Sequence, residues 1–138
     1  MPVHYRITKY KNKTSEKNNW YYARAVITDN MDLNKIADII QRNCSMKKSD
    51  VMAVLTELIE VMTDALQDSK RVQLDGLGSF KMKLKSTLCE TLSQFNANEH
   101  ITSMGVLFQP QWKVDQNGQR QTTLVSGARV KEQAEYSK

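Results

Sequence analysis

The chain has 138 residues, of which 40% are hydrophobic and 25% charged. That is apolar enough to bury the core of one ordinary domain and too apolar for a chain that stays disordered throughout. Its 20 Lys and Arg against 15 Asp and Glu give a net charge of +5, a balance that suits a polyanionic partner without requiring one. No apolar run approaches the roughly 18 residues of a membrane-spanning helix, and the start MPVHYRITKYK lacks the apolar stretch of a secretory signal, so a cytoplasmic protein with no membrane contact is expected.

Residues 3–10, VHYRITKY, set Val3, Tyr5 and Ile7 against His4, Arg6 and Thr8, the period-2 pattern of a strand, and WYYARAVI at 20–27 reads as a second one. Between them KNKTSEKNN is polar and cationic, an exposed loop or hairpin tip. The stretch DNMD at 29–32 offers caps for Leu33, Ile36, Ala37, Ile39 and Ile40, a 3.6-period stripe that predicts a helix over about 32–43. Met46-Lys47-Lys48-Ser49-Asp50 breaks that pattern, with Ser49 or Asp50 available to cap a second helix carrying Val51, Val54, Leu55, Leu58, Ile59, Met62 and Leu66. This stripe is longer than the first helix can cover. A sheet and a second copy of the chain are therefore expected to complete its burial.

Lys70 to Lys85, KRVQLDGLGSFKMKLK, predicts a hairpin: Val72 and Leu74 alternate with polar neighbours, Asp75-Gly76-Leu77-Gly78 supplies the turn, and alternation resumes from Ser79. Phe80, Met82 and Leu84 fall on one face and Lys81, Lys83 and Lys85 on the other. A row of three exposed lysines is also what the wet side of a half-buried sheet looks like. The excess charge is uneven along the chain, with six basic and two acidic residues in 1–30, five and seven in 31–70, four and one in 71–85. After Ser86 the segment STLCETLSQFNANEHITSMG carries Glu90 and Glu99 but no Lys, Arg or Pro, and its Leu88, Leu92, Phe95 and Ile101 are suited to packing against protein. In the remainder, Asn117-Gly118 between Trp112-Lys113-Val114 and Thr122 to Val125 signals a further hairpin rather than a helix.

Cys44 and Cys89 have no CxxC spacing and no histidine pair nearby, so no metal site and no cofactor are expected, and the thiols are expected to be reduced and buried. They are also the only nucleophile candidates, and neither has an identifiable base in the sequence, His4 and His100 being distant, so no enzymatic activity and no small-molecule substrate are expected.

The helix pair with its short Met46–Asp50 turn, the run RVQLDGLGSF and the lysine-bearing strand, over about residues 32–88, together with VLFQP at 106–110, resemble the bacterial HU and integration host factor family of histone-like proteins. The resemblance implies an α+β fold: a two-helix base, an antiparallel β-saddle with an arm hairpin, and an intertwined homodimer that embraces double-stranded DNA in the minor groove. To this the chain adds N- and C-terminal strands. The expected division is a β-rich N-terminal extension at 1–30, an HU-like DNA-binding core at 31–110 with its arm at about 86–105, and a β-rich C-terminal extension at 111–138. Lys83 and Lys85 fall where the family places basic saddle residues and Lys81 shares their face; with Arg71 they form the candidate DNA-binding set. Phe95 is the candidate wedge between bases.

Departures from the family pattern are concentrated in the arm, which lacks the expected arginines and tip proline, and at Gln109 and Gln111, where a basic and a small residue are expected. Two functions follow. One is a sequence-tolerant, nucleoid-associated protein contacting phosphates from the saddle. The other is an HU-like structural or protein-interaction module that has lost DNA bending.

Overall fold

The computed structural model describes residues 1–134, so the last four positions of the expected C-terminal extension lie outside the described residues. The chain forms two units, Met1–Asp32 together with Gly127–Lys138, and Leu33–Ser126.

In the first unit, β1 (Pro2–Lys9) is the middle strand, with β2 (Tyr21–Ala25) antiparallel on one side and a late strand, Arg129–Glu132, parallel on the other. Tyr5 lies opposite Ala25 and Ile7 opposite Ala23, while Val3 lies opposite Val130, so the apolar positions of all three strands share one face. The polar connection from Lys11 to Asn19 is folded rather than loose. The Asn12 carboxamide oxygen accepts from the Thr14 backbone and hydroxyl, the Asn12 N–H donates to Asn18 Oδ1, and Asn19 at φ 70° turns the chain into the second strand, the Asx-turn chemistry that lets a polar loop satisfy its own backbone.

In the second unit, α1 (Leu33–Asn43) packs on α2 (Lys48–Gln67), with Ala37 fully buried and Val51 nearly so. An ion pair of 2.9 Å joins Lys48 to Asp38, but both side chains are about half exposed and such pairs contribute little. The expected cap at Ser49 or Asp50 is not formed: Lys47 takes the N-cap position without a side-chain bond, and both residues lie in the first turn, where the Asp50 carboxylate favours the positive end of the helix dipole. At the other end Lys70 N–H bonds the Ala65 carbonyl and Ser69 N–H that of Leu66, with Ser69 at φ 60°. This is a Schellman closure with serine where glycine is usual.

The chain then enters a three-stranded antiparallel sheet, β3 (Val72–Leu74), β4 (Gly78–Ser86) and β5 (Ile101–Pro110), in spatial order β3-β4-β5. Leu77 N–H bonds the Leu74 carbonyl and Gly76 sits at φ 89°, the geometry a type II turn demands of its third residue. At Gly78 a Cβ would run into the Gln109 carbonyl oxygen and approach Pro110 Cα to 2.9 Å, so the second glycine is required by close strand approach. Phe80 and Phe108, cross-strand partners, hold their rings 4.8 Å apart. Beyond Pro110, β6 (Trp112–Val114) and β7 (Arg120–Thr122) form the expected hairpin. Its tip is a three-residue loop ending in Gly118 at φ 78°, held by Asp115, whose carboxylate accepts from the Asn117 and Gln119 N–H groups. The N-terminal strands take up β8 (Arg129–Glu132), which follows that hairpin in the sequence.

Among the described residues, the buried positions are Ala37, Val51, Leu66, Gly78 and Ser79. The apolar positions of α2 span an arc of roughly 160° at 3.6 residues per turn. Val51 and Leu66 in that arc are covered, whereas Val54 and Val61 at one edge are exposed by 58% and 55%, Ile59 at the other by 54%, and Leu58 between them is also exposed. Neither cysteine is buried as expected: Cys44 is exposed and Cys89 half-buried, both free thiols. Among the described residues no helix is long and apolar enough to cross a membrane, and no three His, Cys, Asp or Glu side chains come together to hold a metal ion.

Candidate nucleic-acid interface

The period-2 alternation along β4 sorts its side chains as the sheet requires. Phe80, Met82 and Leu84 pair across to Phe108, Val106 and Met104 on one face, while Lys81, Lys83 and Lys85 pair to Leu107, Gly105 and Ser103 on the other. All three lysines are exposed. The strand opposite them is small at two of the three places, Gly105 and Ser103. A Cβ at Gly105 would come within 3.0 Å of Lys83 Cε and 3.7 Å of its Cγ, so the Lys83 stem lies across the glycine. The row ends at a bulge, where the register slips between Lys85 and Ser86 and the Thr102 hydroxyl donates to the Lys85 carbonyl at 3.0 Å.

Arg71, just before β3, joins the same face through Ser79: its guanidinium donates to the buried Ser79 hydroxyl at 2.8 Å. One edge of that fork is thus held, and its other N–H groups remain available. Gln73, opposite Ser79, shares the face, and a shallow groove lined by Arg71, Gln73, Ser79, Gln109, Gln111 and Trp112 continues it. Gln111 turns out to hold the glycine turn in place, its side-chain oxygen accepting from Gly76 N–H and its backbone N–H donating to the Leu77 carbonyl. Ser79 is not marked by charge or motif, and Gln111 only as a departure from the family's small residue. The available signal was strand parity, which puts Ser79 in line with the three lysines.

The arm departs furthest from expectation. The β4–β5 ladder stops at Thr87 and His100, whose N–H and carbonyl bond at 2.8 Å. The tip carries a 3₁₀ turn at Leu92–Gln94 and a single helical turn, α3 (Ala97–His100), capped by the Asn96 side chain. Phe95 stacks on the His100 ring at 5.1 Å and is still 43% exposed. Leu88 and Leu92, expected to pack against protein, are almost wholly exposed in the single chain: the tip closes on Phe95 and His100, and among the described residues nothing covers the two leucines.

With this geometry in place, comparison with known proteins is decisive for the family. Residues 1–124 match the family described as HU-HIG, an HU domain fused to wHTH, Ig, or Glycine-rich motif. The chain belongs to the HU-HIG family. A curated relative, DNA-binding protein HU of Thermotoga maritima, is 32% identical over 53 residues, 38% of this chain and 59% of that protein. Among solved structures, a putative bacterial DNA binding protein from Bacteroides vulgatus superposes over 94% of this chain with a TM-score of 0.63 at 13% identity, which speaks for the fold alone. A cocrystal of Anabaena HU with DNA covers 57% of this chain and 85% of its own, with a TM-score of 0.41 at 23% identity. The HU-HIG chain spans 59% of the Thermotoga protein and 47% of the Bacteroides chain.

Proposed function

We propose that this HU-HIG protein binds double-stranded DNA in a sequence-tolerant way, as a nucleoid-associated architectural protein without enzymatic activity, contacting phosphates from the β3-β4-β5 sheet. The observation that supports this reading is the exposed row Lys81, Lys83 and Lys85 on one face of β4, with the Lys83 stem lying across Gly105 and Arg71 held by Ser79 beside the row. Phosphate contact needs only positive charge at suitable spacing and carries no base information. In this reading residues 31–110 are the DNA-binding core, with 1–30 and 111–138 as additions to it. The protein works as a homodimer, because the exposed flank of α2 needs a cover and a two-fold partner supplies the same surface, and dimerisation doubles the lysine row into a saddle.

The arm has two glutamates and no cation between Ser86 and Gly105. A kink costs a few kcal/mol per unstacked step and is recovered by wrapping DNA against positive charge, so binding proceeds without strong bending. The exposed Leu88 and Leu92 support a second reading, an HU-like structural module whose arm docks on another protein. A salt-titrated binding assay separates the two. Six lysines in a dimer, each displacing one counterion, give a log–log slope of about −5, and Lys81→Gln/Lys83→Gln/Lys85→Gln flattens it. Absence of duplex binding at low salt would leave the protein-interaction reading.

A further inference from the structure

The register of the terminal sheet places an unusual set of side chains on its polar face. Arg6 on β1 lies directly opposite Arg24 on β2, His4 opposite Lys131 on β8, Pro2 opposite Arg129, and Thr8 opposite Tyr22. Directly paired residues share a face, so Arg129, Lys131, Arg6 and Arg24 form one diagonal cationic stripe across all three strands, roughly 16 Å long at normal strand spacing. All four are exposed, and none is in an ion pair among the described residues. The acidic residues of this unit lie elsewhere: Glu132 on the opposite face, Glu16 in the loop, Asp29 and Asp32 after β2.

Two features separate this face from an ordinary wet sheet surface. Like charges set directly opposite each other destabilise a sheet, whereas mixed signs stabilise it; the Arg6–Arg24 pair works against the fold, as groups retained for binding do. The excess charge of the whole chain also resides here. Among the described residues this unit has eight basic and four acidic side chains, whereas Leu33–Ser126 has eleven and ten. The HU-like core is close to neutral, and the terminal sheet carries the charge that favours a polyanion.

We infer that the polar face of the β2-β1-β8 sheet is a second binding surface for the phosphate backbone of duplex DNA. The inference rests on the DNA-binding reading above but not on the lysine row. Duplex DNA presents about one negative charge per 1.7 Å of axis, so a stripe of about 16 Å meets more phosphates than it has cations, and each guanidinium has the fork geometry that a phosphate accepts. The Tyr22 hydroxyl beside Arg24 is a further phosphate donor of the kind found in such interfaces.

The test is the salt dependence of binding to a duplex of about 35 base pairs, between about 50 and 200 mM salt, using the full chain. In Arg6→Gln/Arg24→Gln/Arg129→Gln/Lys131→Gln the log–log slope becomes shallower by up to about 3.6 per protomer, while Lys81→Gln/Lys83→Gln/Lys85→Gln loses its own share independently. Arg6→Lys/Arg24→Lys keeps the wild-type slope, because charge is retained. Thermal unfolding of Arg6→Gln occurs at or above the wild-type temperature, since a like-charge pair is relieved. If the quadruple variant does not fold, Arg129→Gln/Lys131→Gln on the edge strand reads the same effect at half size. A wild-type slope in the folded quadruple or edge variant overturns the second surface and leaves the lysine row standing. A wild-type slope in the lysine variant alone overturns the lysine row and leaves this surface. Dependence of phosphatidylserine-vesicle binding on the four side chains, with the duplex slope unchanged, assigns the face to a membrane surface and overturns the DNA assignment.

Discussion

Val54→Glu/Val61→Glu probes the homodimer with little ambiguity, because the two positions are more than half exposed in the single chain. In a monomer the change is nearly free: surface substitutions usually stay within about 0.5 kcal/mol, and Glu is a better helix former than Val. In a dimer closed over this flank it is not. Full burial of a Val contributes about 1.5–3 kcal/mol, so the exposed half leaves roughly 1 kcal/mol per residue for the interface. Four such residues across a two-fold give about 4 kcal/mol, or about a thousandfold in Kd, before the cost of desolvating the carboxylates is added. Sedimentation velocity over a micromolar concentration series reads the association, and circular dichroism reads the fold. Helical, monomeric variant protein beside dimeric wild type is the expected result. A variant that sediments like a dimeric wild type, or a wild type that is a folded monomer at these concentrations, refutes the reasoning.

Ser69→Gly removes the left-handed strain at the end of α2 and is expected to raise stability by about 1 kcal/mol, a rise in Tm of about 4–8 °C for a unit of this size. Gly78→Ala is expected to cost about 3 kcal/mol, because its Cβ meets strand backbone rather than a movable side chain. Gly76→Ala, with nothing within 4 Å of the added carbon, pays only the left-handed conformation, about 1–2 kcal/mol; equal losses in urea unfolding would show that the close approach at Gly78 is not what matters. Phe95→Ala is expected to leave duplex affinity within about twofold, 0.4 kcal/mol, while lowering thermal stability by loss of the His100 stack. End-to-end energy transfer on a duplex of about 35 base pairs, far below the roughly 150-base-pair persistence length, decides whether the arm bends DNA, and a large Phe95-dependent shortening would restore the wedge.

How far the fold could be read from the amino acids depended on how local each signal was. The α2 stripe and the β4 alternation repeat over many residues, so Val51 to Leu66 and Phe80 to Lys85 announce their own faces and emerge in the structure with the spacing they imply. The N-cap at Lys47 could not be read, since Ser49 and Asp50 are better cappers and only the helix geometry assigns them to the first turn. The pairing of β8 with β1 was hidden for a different reason. A parallel partner is set by tertiary geometry and not by a turn motif, and Arg129 to Glu132 has only Val130 as an apolar residue. At the arm the composition correctly signalled an atypical tip, but whether Leu88 and Leu92 are covered depends on what lies over them, a fact no local pattern contains. On the candidate interface, parity alone places the lysines. The Arg71–Ser79 bond and the clamp of Gln111 on the Gly76 turn depend on contacts across the sheet.

The parallel pairing of the first and last strands also has a kinetic meaning. Pro2 and Arg129 are register partners, yet all of Leu33–Ser126 is inserted between β2 and β8. On the ribosome, with synthesis at about 5–20 residues per second, the β1–β2 hairpin waits roughly 5–20 s with one flank of β1 unpaired, while the inserted unit has time to fold from mostly local contacts. During that interval the open edge, Pro2 to Tyr5, is a template for another strand, and it is closed only when Arg129 to Glu132 has been made and pairs there.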